Sequence, residues 1–101
     1  MAKVFISIPM NGRSREDILA EQQKVLYKAT EILGEPCQMI ETCQKDYIKM
    51  KPLECLGHSL ILLSTADVAV FAPGWAKARG CRIENICALE YGLKVLELPE
   101  N

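Results

Sequence analysis

The chain has 101 residues, with twelve basic and thirteen acidic side chains and a net charge of −1. Half of it is hydrophobic and a quarter charged, which fits a single soluble domain over residues 1–101 and argues against a disordered chain or a protein that coats a nucleic acid polymer. Five cysteines without C-x-x-C spacing and a single histidine, His58, suit neither a disulfide framework nor a zinc site; they read as thiols of a reducing, cytoplasmic protein.

Val4-Phe5-Ile6-Ser7-Ile8 is β-branched and aromatic and stops at Pro9, so it predicts a buried strand. Asn11-Gly12 supplies a turn, and Ser14, followed three residues later by Asp17, has the pattern of a helix N-cap. Ile18, Gln22, Val25, Ala29 and Ile32 then fall on one face of an amphipathic helix that ends at Gly34, with Pro36 beyond it. Cys37 to Thr42 is a weaker strand. Residues 43–51 show no clear period and read as loop or irregular helix. Pro52 suits a helix start, and Leu53, Leu56, Leu60 and Leu63 recur at helical spacing. Asp67 to Ala72 is apolar on both faces, as in a covered parallel sheet. A loop with Pro73-Gly74, Trp75, Lys77, Arg79 and Gly80 leads to a helix from about Cys81 to Tyr91. Its core candidates are Ile83, Ile86 and Cys87, its stop Gly92. Val95 to Leu98 makes the last strand. The longest apolar region, Leu60 to Ala72, is interrupted by Ser64, Thr65 and Asp67 and falls short of the ~20 residues a membrane span needs.

The order βαβαβαβ implies parallel pairing through right-handed crossovers. The expected fold is a three-layer α/β sandwich, flavodoxin- or Rossmann-like, with about four parallel strands in the order 2-1-3-4. In such sheets a ligand sits at the carboxyl ends of the strands, near the switch point between the first and third. Two loops are thereby selected. Pro9 to Asp17 combines a glycine turn, a helix N-terminus, Ser14 and two arginines. That set suits a phosphate or carboxylate, or else Ser14 only caps the helix and the arginines are solvated. Pro73 to Glu84 carries Gly80, for a tight entry into the helix, and Glu84 in a first turn where the helix dipole favours a carboxylate. An ionised carboxylate there can attack a sugar carbon, or it simply matches the dipole. Trp75 either stacks on a base or closes over the site as a lid, or packs down on the helix to cover the sheet edge. Lys77, Arg79 and Arg82 add local positive charge. Asp67 opens the third strand and either faces the crevice or caps the end of the preceding helix.

Val4 to Arg13 resembles the opening strand and loop of the nucleoside 2-deoxyribosyltransferase-like superfamily, nearest its 2′-deoxynucleoside 5′-phosphate N-hydrolase branch and small bacterial and phage relatives. The likeness continues through Ala66-Asp67-Val68-Ala69-Val70-Phe71, Pro73-Gly74-Trp75, Gly80-x-x-x-Glu84-x-x-x-Ala88 and Gly92-Leu93-Lys94-Val95, and is weakest between Cys37 and Leu63. It implies an N-glycosidase or deoxyribosyltransferase acting on a small-molecule nucleoside or nucleotide, with Glu84 as nucleophile, no cofactor, and a homo-oligomer that completes the site. The family's helper aspartate has no counterpart: its neighbourhood reads Gly57-His58-Ser59-Leu60, which leaves His58 or Asp67 as the second catalytic candidate. Ile8, Met10, Asn11, Gly12, Arg13, Ser14, Trp75, Arg79 and Gly80 are the expected substrate contacts. The alternative expectation is a nucleotide- or phosphate-binding module without turnover.

Overall fold

The computed structural model describes residues 1–42 and 49–100; the irregular stretch expected after Cys43 lies largely outside them. Among the described residues four strands alternate with three helices: β1 (Ala2–Ser7), α1 (Arg15–Leu33), β2 (Cys37–Met39), α2 (Pro52–Leu63), β3 (Val68–Phe71), α3 (Arg79–Glu90) and β4 (Lys94–Glu97). All pairings are parallel and the sheet order is β2-β1-β3-β4. Val4 lies opposite Val68, and Ser7 opposite Phe71.

Strand alternation sorts the core into two halves. Val4, Ile6 and Ile8 of the first strand region pack with Val68, Val70 and Ala72 against Val25 and Ala29 of α1. Phe5, Ala69 and Phe71 point to the other face and meet Leu63 and Ala88, from α2 and α3. The result is one helix on one side of the sheet and two on the other, the expected three-layer sandwich. Ser7 shares the face of Phe5, so its hydroxyl is turned toward α2 and α3.

α1 begins and ends where its residues direct. The Ser14 Oγ accepts a hydrogen bond from the Asp17 amide, 3.1 Å, and Gly34 closes the helix in the left-handed region at φ 70°. Gly34→Ala is expected to cost about 1 kcal/mol, because a Cβ is strained at that φ even though nothing crowds it. Urea unfolding would measure the loss.

Three packing expectations are corrected. Ile18, Gln22, Val25 and Ala29 are buried on α1 as anticipated, but Ile32 is exposed and Leu33 packs in its place, since the face drifts over nineteen residues. Leu53 of α2 is exposed, because the first turn of that helix lies beyond the sheet layer that Leu60 and Leu63 cover. On α3 the buried positions are Cys81, Glu84, Asn85 and Ala88, while Ile86 is exposed and Ile83 half-buried. The spacing of the buried set, i, i+3, i+4 and i+7, is a proper helix face, but two of its members are polar and find partners inside. Among the described residues no helix is long and apolar enough to cross a membrane.

Candidate functional site

At the carboxyl end of β1 the sheet hands Ser7 to the helices. Its Oγ donates to Glu84 Oε1 at 2.6 Å, a buried contact between residues 77 apart in sequence. The Ser59 side chain, from α2, also favours the charged form of Glu84, and Ser7 acts in the same sense on the Cys81 thiol of α3. Three elements thus converge on one carboxylate at the switch point between β1 and β3, where an open parallel sheet binds its ligands.

Glu84 is 8% exposed. Burial pushes its pKa up, and the hydrogen bonds from Ser7 and Ser59 pull it part of the way back. The helix dipole was expected to favour the ionised form. The helix instead starts two residues early, at Arg79, which puts Glu84 in the second turn, where the dipole has weakened and desolvation dominates. Burial also raises the Cys81 thiol to about 11, so it stays protonated near neutral pH; the charge of Glu84 adds to this, and so, more weakly, does that of Glu21.

His58 is half-buried on α2, one residue before Ser59, so the helix that reaches Glu84 also carries the candidate proton donor. Asp67 is not brought to the site. Its Oδ2 accepts from the Lys3 amide at 2.8 Å, and its own amide donates to the Lys3 carbonyl. Asp67 thus stands at the amino end of β3, four strand residues or roughly 13 Å from the level of Ser7 and Phe71. Its role is to join β1 and β3 at their starts, and the catalytic expectation for it is corrected on this ground.

The first loop keeps its groups close to home. Ile8 is a core residue, Met10 is half-buried, and Asn11 and Gly12 are exposed, with Gly12 at φ 73°. Arg13 Nη1 donates to the Pro9 carbonyl at 2.9 Å and pairs with Glu21 Oε1. Ser14 spends its oxygen on the helix cap.

In the second loop the left-handed glycine is Gly74, φ 85°, not Gly80, which lies inside the first turn of α3 with no positive φ. The tight entry into the helix is made by Gly74 and a 3-10 turn over Trp75–Lys77. Trp75 packs against Phe71, ring centroids 5.4 Å apart and tilted by 55°, and joins the core under α2 and α3. Its other side borders a groove of about 320 Å³ shared with Gly74, Lys77, Leu98 and Glu100. Lys77 pairs with Glu100, Arg82 Nη1 donates to the Ala76 carbonyl, and Arg79 is exposed.

Sequence reasoning did not single out Ser7 or Ser59. The readable signal was Ser7, one polar side chain inside an otherwise apolar strand. The four described cysteines are thiols, and among the described residues no group of His, Cys, Asp and Glu could hold a metal ion. Compared with models of known families, with curated proteins and with solved structures, the chain matches none.

Proposed function

We propose that the protein cleaves the N-glycosidic bond of a deoxynucleoside or its 5′-monophosphate, with Glu84 as the attacking carboxylate. The observation that carries this reading is the convergence of Ser7 and Ser59 on Glu84 at the carboxyl end of β1. A carboxylate fixed by hydroxyls from separate elements, in a partly dry site, is oriented before substrate arrives. A Glu84 oxygen forms a bond to the anomeric carbon while the bond from that carbon to the base nitrogen breaks. The electron pair leaves with the base, which takes a proton from His58 or from water. Water or a second base then displaces Glu84 from the sugar with net retention.

The test is incubation with the four deoxynucleosides and their monophosphates, followed by chromatography for free base. Base release, or exchange of one base for another, is the expected result. The second reading is binding without turnover. It is favoured by the position of Asp67, which leaves Glu84 without that carboxylate as helper. A ligand that raises the melting temperature but is never cleaved would establish it. A panel that is neither cleaved nor bound would remove both.

A homo-oligomer is part of the proposal. α2 and α3 pack on the same side of the sheet, and they leave Leu53, Ile61, Ile86 and Leu89 exposed. Scattered apolar positions on two adjoining helices suit a contact with a second copy.

A further inference from the structure

We infer that Asn85 and Glu97 moor α3 across the sheet and so hold Glu84 at its place of attack, which makes Glu97, on the outermost strand, a positioning residue for the reaction. The inference rests on the reading of Glu84 as the attacking carboxylate.

Ser7, Phe71 and Glu97 share one register row, at the carboxyl ends of β1, β3 and β4. Paired residues in a sheet point to the same face. Phe71 packs toward α2 and α3, so all three side chains turn to that layer. Ser7 and Glu97 stand on either side of β3, two strand spacings or roughly 10 Å apart. α3 spans that gap with two adjacent buried polar residues, Glu84 and Asn85. Successive side chains on a helix diverge by about 100°. Glu84 therefore reaches one flank, where Ser7 Oγ donates to its Oε1 at 2.6 Å. Asn85 reaches the other, where its Nδ2 donates to Glu97 Oε2 at 2.9 Å.

Apolar packing alone fixes this helix weakly. The buried residues of α3 are Cys81, Glu84, Asn85 and Ala88, so no large apolar side chain is fully buried on it. α1, by contrast, is locked by Ile18 and Val25. Where interlocking side chains are missing, directional hydrogen bonds set the position. A helix tied at one flank rolls or slides over Phe71; a helix tied at both does not. The outer tie runs to a carboxylate, which makes it one of the stronger kind. Its loss displaces Glu84 from Ser7, and a misplacement of about 1 Å at a reacting atom costs about 10²-fold in rate. Ionisation is affected as well. Ser7 from β1 and Ser59 from α2 favour the charged form of Glu84, and Cys81 is its titratable neighbour on α3. With Ser7 farther away, Glu84 ionises at higher pH.

kcat, KM and the pH dependence of base release are to be measured for the native protein, Asn85→Ala, Glu97→Ala and Glu97→Gln, at a temperature where melting curves show each to be folded. Asn85→Ala and Glu97→Ala are expected to lower kcat by about tenfold or more, to change KM by less than about twofold, and to move the rise of activity to higher pH. Glu97→Gln keeps an oxygen acceptor for Asn85 and is expected to restore most of the rate. It lacks the charge, so it separates mooring from a direct electrostatic effect of Glu97. A loss in Glu97→Gln equal to that in Glu97→Ala overturns the inference and leaves Glu84 as nucleophile. So does a change in Asn85→Ala and Glu97→Ala that is confined to the melting temperature, with kcat and pH profile native. Absence of base release from the native protein, or release that survives Glu84→Gln, overturns the underlying reading and this one with it.

Discussion

Glu84→Gln is expected to abolish base release, by about 10³-fold or more, because an amide cannot supply the attacking oxygen anion. The same substitution is expected to leave the fold intact and to change its response to pH. The ordinary glutamate value is 4.5, and burial raises Glu84 above it. A carboxyl whose folded-state pKa is raised favours folding fully below its unfolded value, and that contribution is lost as pH rises through the folded value. Above that window the native protein holds a buried charge that only Ser7 and Ser59 relieve. Glu84→Gln holds none. Melting temperatures of the two proteins should therefore be close near pH 4, with the variant the more stable near pH 8. Under the proposed reaction, base release by the native protein should rise with pH as Glu84 ionises, and Ser7→Ala should move that rise to higher pH, since Ser7 is the stronger of the two groups lowering the pKa. A variant that retains base release, or a stability difference that does not depend on pH, would contradict the assignment of Glu84.

Phe71→Ala is expected to cost about 3–5 kcal/mol, the range for truncating a fully buried aromatic. Phe71 has no exposed surface and lies among Phe5, Leu63, Ala69 and Ala88. It also carries the ring against which Trp75 leans, and its carbonyl accepts the Leu98 amide at 2.9 Å. A domain of this size holds only about 5–15 kcal/mol in total, so the loss approaches the whole margin. Trp75 is the only tryptophan, which makes its fluorescence a direct probe of this corner in a urea titration. A loss below about 1 kcal/mol would mean that the neighbours collapse into the space far better than close packing allows.

The strand order and the place of Glu84 were legible because they depend on pattern. Short apolar runs in Val4 to Ile8 and Asp67 to Ala72 mark buried strands, single helices between strands force parallel crossovers, and parallel sheets put ligands at their carboxyl ends. Of the partners of Glu84 only Ser7 leaves a trace, as a polar side chain in an apolar strand; a helix hydroxyl such as Ser59 carries no periodic signal. The buried face of α3 was missed for a related reason. Apolarity alone points to Ile83 and Ile86, whereas the fold buries Glu84 and Asn85, the latter through a 2.9 Å bond from its Nδ2 to Glu97 Oε2. Asp67 looked like an active-site acid from its neighbourhood in sequence, but a strand has two ends and the residue stands at the wrong one. The ion pair of Arg13 with Glu21, eight residues on, carries no signal in the loop that suggested an anion site.

The pairing of β1 with β3 has a consequence for how the chain is made. The first strand leaves the ribosome more than sixty residues before the strand that covers its inner edge, since Val4 is paired to Val68. Until β3 emerges, Val4 to Ile8 is an apolar segment with only the short β2 to pair with. Closing so large a loop late is slow compared with helix formation. The nascent chain is thus most exposed to self-association and to chaperones during synthesis of its first two-thirds, and slower translation through α2 would lengthen that interval.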